Sequence, residues 1–294
     1  MGKNETCDLS VIIVTYNTAD LLPRCLNSIA SQTDVFFETI VVDNASTDNT
    51  VDLLREFAKH INLLTNEKNA GFARANNQAI SASKGKYIYF LNPDTEVHAG
   101  AFKEILRFMK EHPEVGIAGT RIVNPDGSPQ SSVEYKYPGQ RHASEELKNL
   151  RGEIAWVLGA SMVARQDTIH ALGGFDERFF LYAEDIDLCL RARKDGWLIG
   201  YILDAVITHW GGQSELENPS YEVWAKKLAA ELAFFQKHYT KDTLHSIARS
   251  NILQAYWRIF SLKATMPFLK NKEEALNKLD KYRLTLQVFR DRNA

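Results

Sequence analysis

Residues 9–15 have the sequence LSVIIVT, and residues 39–42 have the sequence TIVV. Both runs are short, apolar and rich in β-branched side chains, which is typical of buried strands in a parallel sheet. Apolar residues at helical spacing follow each run, and another apolar run, YIYFL, occupies residues 87–91. Strands that alternate with helices predict βαβ units, whose right-handed crossovers bring the loops after the strands to one sheet edge. We therefore expect an α/β fold with a mostly parallel central sheet flanked by helices.

The second half of the chain has a different pattern. Two more strands are predicted at 115–123 and 155–164, and a helix that opens with acidic residues is predicted at 182–194. An amphipathic helix is expected at 220–239, and two or three further helices are expected over 243–294. The chain should therefore end in a helical extension.

The charge of the chain is unevenly distributed. The net charge is −2, but residues 241–294 carry 11 Lys/Arg and 5 Asp/Glu, whereas residues 1–240 carry 24 Lys/Arg and 32 Asp/Glu. We interpret 1–240 as one catalytic domain and 241–294 as a basic C-terminal helical extension. A basic tail suits an anionic partner such as a lipid surface. Peripheral membrane contact, docking on the catalytic domain, homodimerisation and a merely solvated helical face all stay open for it.

Three features concern the location of the protein. No apolar run approaches the ~18 residues that a membrane-spanning helix needs. The first residues, MGKNETCDLS, lack the apolar core of a secretory signal. Cys7, Cys25 and Cys189 are odd in number and far apart, so they are interpreted as reduced thiols. We expect a cytoplasmic protein, or one held peripherally at the inner membrane face, without a nucleic-acid partner.

Two acidic residues directly follow predicted strands. Asp43 could accept the N3–H of a uracil or thymine base, because ligands of open α/β sheets bind at the carboxyl ends of the strands. A turn or a helix cap is the alternative, since Asp favours such positions. Asp94 follows Asn92 and Pro93, and Pro93 stops the strand. Its carboxylate suits a Mn²⁺ or Mg²⁺ ion that bridges a diphosphate, although a turn would also explain it.

Acidic residues and a histidine stand late in the chain. Glu184, Asp185 and Asp187 open a predicted helix, where the helix dipole alone would favour them. Apolar and aromatic residues precede them, and such a setting can hold a carboxylate as a general base. Asp187 is assigned to a structural pair with Arg191. His209 ends an apolar run before two glycines, where a metal ligand or a phosphate contact is plausible, although a lone His is more often structural.

The order of these signals resembles the family 2 glycosyltransferases of GT-A fold. The resemblance spans roughly residues 8–215, and the NPDT and YAEDIDLCLR segments are most similar to rhamnosyltransferase-type members. The segments that carry it are VIIVTYNTADLLPRCLNSI, VVDNASTDNT, NEKNAGFARANNQAI, YIYFLNPDTEV, WVLGASMVARQDTIHALGGFDERFFLYAEDIDLCLRARKDGW and ITHWGGQS.

The resemblance implies a role for each matching residue. On the donor side, it implies contacts to the nucleotide for Thr15, Asn17 and Asn92, to the pyrimidine base for Asp43, and to the base or diphosphate for Asn69, Gly71 and Arg74. It implies that Asp94 and His209 bind a Mn²⁺ or Mg²⁺ ion. It implies that Asp185 is the catalytic base and that Trp156, Gly159 and Glu184 line the sugar and acceptor region. One position departs from the Asp-any-Asp signature of the fold, because Asn92 replaces the first acid. Asn brings no charge, so we expect weaker metal binding than at a two-carboxylate site.

The resemblance implies an inverting, metal-assisted hexosyltransferase. It would move a sugar, with rhamnose as a candidate, from a UDP- or dTDP-sugar to a glycan or lipid-linked acceptor in cell-surface polysaccharide synthesis. A dehydrogenase would need a Gly-x-Gly-x-x-Gly turn after the first strand, where the chain has Thr15-Tyr16-Asn17-Thr18. A nucleotidyltransferase would need a glycine-rich phosphate loop there. A catalytically inactive relative that binds a nucleotide or glycan is the remaining alternative, and it is expected to lack Asp94 or Asp185.

Overall fold

The computed structural model describes residues 7–211, 220–268 and 272–291. The chain forms two compact units, one within Met1–Tyr137 and Leu150–Ser214, the other within Pro138–Asn149 and Glu215–Ala294. By packing, residues 220–240 therefore belong with the C-terminal helices. The assignment of catalytic function to 1–240 and of an extension to 241–294 stays a prediction.

The first unit alternates strands and helices, as predicted. Its strands are β1 (Leu9–Thr15), β2 (Phe37–Asp43), β3 (Asn62–Thr65), β4 (Tyr87–Leu91), β5 (Thr95–Val97), β6 (Val115–Val123), β7 (Pro129–Gln130), β8 (Val133–Glu134), β9 (Trp156–Val157), β10 (Ser161–Arg165) and β11 (Leu198–His209). Its helices are α1 (Leu22–Ala30), α2 (Thr50–Glu56), α3 (Phe72–Ala82), α4 (Ala101–Glu111), α5 (Gln166–Ala171) and α6 (Glu184–Lys194). The single strand predicted at 155–164 is two strands, because the chain turns between them at Gly159.

The central sheet has the strand order β3-β2-β1-β4-β10-β6-β11-β5, with β7 beside β6. The strands β3, β2, β1 and β4 are parallel, and β6 is parallel to β11. Strand β10 is antiparallel to both β4 and β6, so β4, β6 and β11 all run in one direction. The parallel βαβ half is the part that the apolar runs predicted, and the whole sheet is mixed.

The sheet curls between β4 and β5. Thr95 begins β5 only four residues after β4 ends, yet β5 pairs with β11, and β10 and β6 lie between β4 and β11. The Thr95 hydroxyl donates to the Asn92 carbonyl at 2.7 Å in the connecting turn. Such a turn spans less than about 7 Å, whereas the four strand spacings from β4 to β5 would amount to about 19 Å in a flat sheet. The curl therefore brings the ends of β4 and β11 together.

Both faces of the sheet are buried. Side chains of a strand point alternately to opposite faces, and β1 places Leu9, Val11 and Ile13 in one apolar cluster and Ile12 and Val14 in the other. Residues of α1 and α4 complete the first cluster, and residues of α3 and α6 complete the second. This covering explains why β1 is a continuous apolar run rather than an alternating one.

The described part of the second unit contains three long helices. They are α7 (Ser220–His238), α8 (Lys241–Thr265) and α9 (Lys272–Asp291), with short 3-10 turns at Gln140–His142 and Met266–Phe268. The Thr240 side chain caps α8 by accepting from the Thr243 N–H, and Glu146 accepts from the Thr240 N–H and hydroxyl. The turn at Met266–Phe268, which contains Pro267, ends α8. Among the residues that the structure describes, no helix is long and apolar enough to cross a membrane.

Candidate active site

The candidate residues lie at one edge of the sheet. Strands β1 and β2 are parallel and end there at Thr15 and Asp43, and β4 ends there immediately before Asn92. Strand β11 runs in the same direction and ends at His209, whereas the antiparallel β10 begins at that edge with Ser161. Ligands of open α/β sheets bind at such an edge.

Asp43 is almost fully buried and is held by three donors. Its Oδ1 accepts from the Thr15 hydroxyl at 3.1 Å and from the Ser46 hydroxyl at 2.6 Å, and its Oδ2 accepts from the Ser46 N–H at 3.0 Å. The alternative interpretation as a turn residue is therefore correct as a local description. A carboxylate oxygen has two lone pairs, so Oδ2 retains one acceptor position for a ligand.

Asn17 joins the loops after β1 and β2. It has a φ of +53°, a conformation that Asn adopts more readily than most residues. Its N–H donates to the Ser46 hydroxyl at 2.9 Å, and its side-chain oxygen accepts from the Thr47 N–H at 2.8 Å. Asn17 thus fixes the loop that also holds Asp43.

A buried amide network supports the glycine at the start of α3. Asn44 Nδ2 donates to the Gly71 carbonyl at 3.2 Å, and Asn44 Oδ1 accepts from Asn66 Nδ2 at 2.8 Å. The Asn69 side chain accepts from the Gly71 N–H at 3.0 Å. Asn44 was not among the predicted site residues. Its position directly after Asp43 was the available signal, because a buried Asn requires hydrogen-bond partners.

Gly71 makes the closest approach between two loops of the site. Its φ of +85° and ψ of 164° lie in a region that only glycine occupies readily. A Cβ there would meet the Phe180 ring and carbonyl at 2.8 Å, and the Phe72 N–H donates to that carbonyl at 2.7 Å. The nearby Arg74 is exposed, and its guanidinium lies 3.9 Å from Glu177. The structure therefore gives Arg74 a carboxylate partner on the loop that leads to α6.

Asp94 and His209 come together across the curled edge. Asp94 Oδ1 lies 3.3 Å from His209 Nε2, and both side chains are about nine-tenths buried. The other ring nitrogen, Nδ1, lies 3.2 Å from Gln130 Oε1. An Nδ1–H that donates to this oxygen leaves Nε2 as the unprotonated, ligating nitrogen. Gln130, on β7, was not predicted, and nothing in its local sequence marks it.

This pair fits two ligands of one divalent cation. Adjacent ligands of an octahedral ion with bonds of about 2.1 Å lie about 3.0 Å apart, which is close to the observed 3.3 Å. Carboxylate oxygen and imidazole nitrogen suit Mn²⁺ better than Mg²⁺. Within residues 7–211, 220–268 and 272–291, no three His, Cys, Asp or Glu residues form a metal-binding group. Substrate oxygens and water would therefore have to complete the shell.

A cation stacks on the residue that follows His209. The Arg24 guanidinium, on α1, stacks over the Trp210 ring with its carbon 4.1 Å from the ring centroid. Trp210 directly follows His209, and the backbone N–H of Trp210 donates to the backbone carbonyl of Asp94 at 2.9 Å. Arg24 is a further residue that the sequence did not indicate. Residues 212–214 of the ITHWGGQS segment lie outside the described residues.

Asp185 stands in the first turn of α6 and is buried. Its Oδ2 accepts from the Gly159 N–H at 2.9 Å, and its Oδ1 accepts from the Ile186 N–H at 2.8 Å. Burial raises the pKa of Asp185 above its usual value, although these two hydrogen bonds act in the opposite direction. Each oxygen keeps a lone pair that could receive a proton.

The neighbouring Glu184 is also buried, and its Oε2 has no hydrogen-bond partner among the residues that the structure describes. Burial first, and the charge of Asp185 second, raise the pKa of Glu184 well above its usual value. Tyr182 and Ala183 precede the pair with φ of +71° and +63°. This left-handed backbone conformation costs a non-glycine residue roughly 1–2 kcal/mol. Tertiary contacts must therefore hold this turn in place.

The remaining predicted residues have structural partners. Asp187 is buried and pairs with Arg191 at 2.8 Å, as its i,i+4 spacing predicted. The Trp156 indole N–H donates to the Lys136 carbonyl at 3.2 Å. Asn92 donates its backbone N–H to the Ala160 carbonyl at 3.0 Å, which joins the metal-side turn to the turn that contains Gly159. The functional roles predicted for these residues remain predictions.

Comparison with known proteins identifies relatives along most of the chain. The N-acetylglucosaminyl-diphospho-decaprenol L-rhamnosyltransferase of Mycobacterium tuberculosis is 27% identical over 260 residues. The match covers 78% of this chain and 85% of that protein. The low-salt glycan biosynthesis hexosyltransferase Agl10 of Haloferax volcanii is 26% identical over 238 residues, 74% of this chain and 72% of that protein.

Solved structures share the fold. The mannosyltransferase PcManGT of Pyrobaculum calidifontis, in complex with GDP-Man and Mn²⁺, matches with a TM-score of 0.61 at 17% identity over 97% of this chain and 87% of that one. Staphylococcus aureus TarS 1–349 with UDP-GlcNAc matches with a TM-score of 0.54 at 19% identity over 97% and 92%. At these identities the likeness concerns the fold.

A sequence profile decides the family. The profile described as glycosyl transferase family 2 matches residues 10–170, which is more than half of the chain. The match includes Thr15, Asp43 and Asn92 at the sheet edge, and the turn at Gly159. The predicted resemblance is thereby confirmed, and the protein belongs to glycosyl transferase family 2, as a rhamnosyltransferase-like glycosyltransferase of GT-A fold.

Proposed function

We propose that the protein is an inverting, metal-assisted glycosyltransferase that transfers a sugar from a UDP-sugar or dTDP-sugar donor to a glycan or lipid-linked acceptor. The observation that carries the proposal is the convergence of three chemistries on one sheet edge. These are a buried acceptor for a base N–H at Asp43, a buried oxygen and nitrogen pair at Asp94 and His209, and a buried carboxylate at Asp185. A glycan-binding module needs no such combination.

The donor side is assigned to the loops after β1, β2 and β4. Thr15 and Ser46 orient Asp43, whose remaining acceptor position suits the N3–H of uracil or thymine. Asn17, Asn69 and the buried Asn44 hold the surrounding loops in place. Both pyrimidines offer the same N–H, so this contact selects a pyrimidine nucleotide without choosing between the two.

The diphosphate side is assigned to Asp94 and His209, which would hold Mn²⁺ or Mg²⁺ together with diphosphate oxygens. Such an ion supplies neutralisation of the negative charge that develops on the leaving group. The Arg24 guanidinium, which stacks over the Trp210 ring, is assigned to the stabilisation of the same developing charge. Asn92, in place of a second acid, leaves the metal dependent on the nucleotide for much of its coordination.

The acceptor side is assigned to Asp185. The Gly159 and Ile186 amides orient its carboxylate and leave a lone pair on each oxygen. Because burial raises its pKa, Asp185 is a better proton acceptor than an exposed aspartate. Proton removal from the acceptor hydroxyl as it attacks the anomeric carbon completes a single displacement, and a single displacement inverts the anomeric configuration.

Glu184 is assigned to sugar recognition. Its buried Oε2 finds no hydrogen-bond partner in the described part of the chain, and leaving such an atom unpaired costs roughly 1–3 kcal/mol. A hydroxyl of the sugar donor or of the acceptor substrate that hydrogen-bonds to this atom would recover that cost. The unpaired Oε2 therefore favours a polyhydroxylated ligand. The similarity to an L-rhamnosyltransferase and to a glycan hexosyltransferase supports rhamnose as the first sugar to test and cell-surface polysaccharide as the product.

The test is transfer itself. The protein is incubated with UDP- and dTDP-sugars, a polyprenyl-diphospho-sugar acceptor and Mn²⁺, and release of the nucleoside diphosphate is measured with and without acceptor. The anomeric configuration of the product is read by NMR. Acceptor-dependent release with inversion is expected. Tight nucleotide binding without any transfer to glycan or lipid-linked acceptors would instead identify an inactive, binding relative.

A further inference from the structure

Helix α8 exposes a contiguous row of large apolar side chains. We call Leu253, Tyr256, Trp257 and Phe260 the aromatic stripe. Their exposed fractions are 61%, 49%, 66% and 66%. The spacing i, i+3, i+4 and i+7 places all four on one face of the helix. Phe268, in the turn after α8, is 87% exposed. Scattered exposed apolar residues are ordinary, but a contiguous exposed patch marks an interaction surface.

The core of the helical unit does not require the stripe. The opposite face of α8 supplies the buried side chains Ile247, Ala248 and Ala255, and α8 packs against α9. The helix is thus apolar on two faces, of which one is already covered. Trp257 and Phe260 contact each other at 6.2 Å between ring centroids, and the Tyr256 hydroxyl accepts from Arg290 at 3.3 Å. The stripe is therefore an organised surface.

The charged residues of α8 that flank the stripe in the sequence have one sign. No acidic residue occurs in the sequence between Asp242 and Glu273. Arg249, Arg258 and Lys263 lie on α8 within this interval and are exposed. A symmetric contact between two copies would bring these positive charges together, which opposes such a dimer. An anionic surface complements them.

We propose that the aromatic stripe docks on an anionic phospholipid surface, with α8 lying in the plane of the membrane interface. Trp and Tyr favour this interface because they combine an apolar ring with a polar group. Arg and Lys side chains can cover the apolar boundary with their stems while their charges reach the lipid phosphates. The proposal is independent of the catalytic one, because docking requires neither donor nor acceptor.

Vesicle flotation of the full chain tests the proposal. Vesicles of phosphatidylcholine alone are compared with vesicles that also contain phosphatidylglycerol, at low and high NaCl. We expect binding only to the anionic vesicles and release at high salt. The variant Trp257→Ser/Phe260→Ser should bind at least tenfold less tightly. The variant Arg258→Gln/Lys263→Gln should lose on the order of 30-fold, because each cation near such a surface contributes ~1 kcal/mol.

Matched controls separate docking from general effects. Lys59→Gln/Lys110→Gln removes two exposed charges elsewhere and should bind as the wild type does. All substituted side chains are exposed, so circular dichroism and melting temperature should stay unchanged. Equal binding of wild type and Trp257→Ser/Phe260→Ser overturns the proposal, as does an absence of vesicle binding. A wild-type dimer that this variant dissociates, without any change in vesicle binding, would assign the stripe to a second copy instead.

Discussion

Replacing Asp185 by Asn separates the chemical step from donor binding. The amide has the shape of the carboxylate but cannot take a proton, so the loss of a general base should lower kcat by about 10²–10⁴-fold. That range corresponds to roughly 2.7–5.5 kcal/mol in the activation free energy. The Asp185 carboxylate is held by the Gly159 and Ile186 amides and not by the loops that carry Asp43 and Asp94, so the dissociation constant of the nucleoside diphosphate should stay within about threefold of wild type.

The structure also predicts how the variant folds. Asn offers one acceptor oxygen to the two backbone donors of Gly159 and Ile186, so one N–H loses its partner at a cost of about 1–3 kcal/mol. Removal of a buried charge offsets part of this cost. The melting temperature should therefore change little.

The assay combines nucleoside diphosphate release with calorimetric titration of UDP or dTDP. Asp195→Asn is the matched control, because it makes the same change at the exposed C-terminal end of the same helix and should keep full activity. A kcat for Asp185→Asn within tenfold of wild type would refute the assignment of the base. A parallel loss of nucleotide affinity would show that Asp185 acts on the donor.

Three further outcomes follow from the geometry. Gly71→Ala should destabilise the fold and weaken nucleotide binding, because its Cβ would meet Phe180 at 2.8 Å at a φ of +85°; an unchanged melting temperature and affinity contradict this. The raised pKa means that folded Glu184 holds its proton more tightly than unfolded Glu184 does, so wild-type stability falls as the pH rises above about 4.5. Glu184→Gln cannot titrate, so its melting temperature should fall less steeply over the same pH range. Equal slopes of melting temperature against pH for the two proteins would count against this prediction. His209→Ala should weaken UDP or dTDP binding only when Mn²⁺ is present, and an equal loss without metal would assign His209 to the nucleotide directly.

Local patterns predicted the parallel half of the fold. The runs at β1, β2 and β4 are apolar throughout because both sheet faces are covered, and such runs are short enough to be strands rather than helices. The antiparallel insertion of β10 could not be derived, since strand direction depends on connections that the local pattern does not contain. The apolar pattern also does not reveal the turn at Gly159, because residues 155–164 are mostly apolar on both sides of it.

The candidate site was predictable where a residue directly follows a strand. Asp43, Asp94 and His209 were found in this way, and parallel strand direction accounts for their common edge. Arg24, Asn44 and Gln130 are not indicated by the sequence pattern, because their partners Trp210, Asn66 and His209 lie far from them along the chain and only the fold brings each pair together. The aromatic stripe likewise required the packing of α8, since composition alone does not tell which face of a helix is covered.

The most direct test of the central claim is a thermal-shift panel of UDP, dTDP, GDP and ADP, each with and without Mn²⁺ or Mg²⁺, on wild type and Asp94→Ala. A ligand that binds the folded state raises the melting temperature by mass action. The account predicts that UDP or dTDP stabilises the wild type more strongly with metal than without it, and that Asp94→Ala loses the metal-dependent part. A panel in which no nucleotide shifts the wild type under any metal condition would contradict a nucleotide-sugar-dependent transferase.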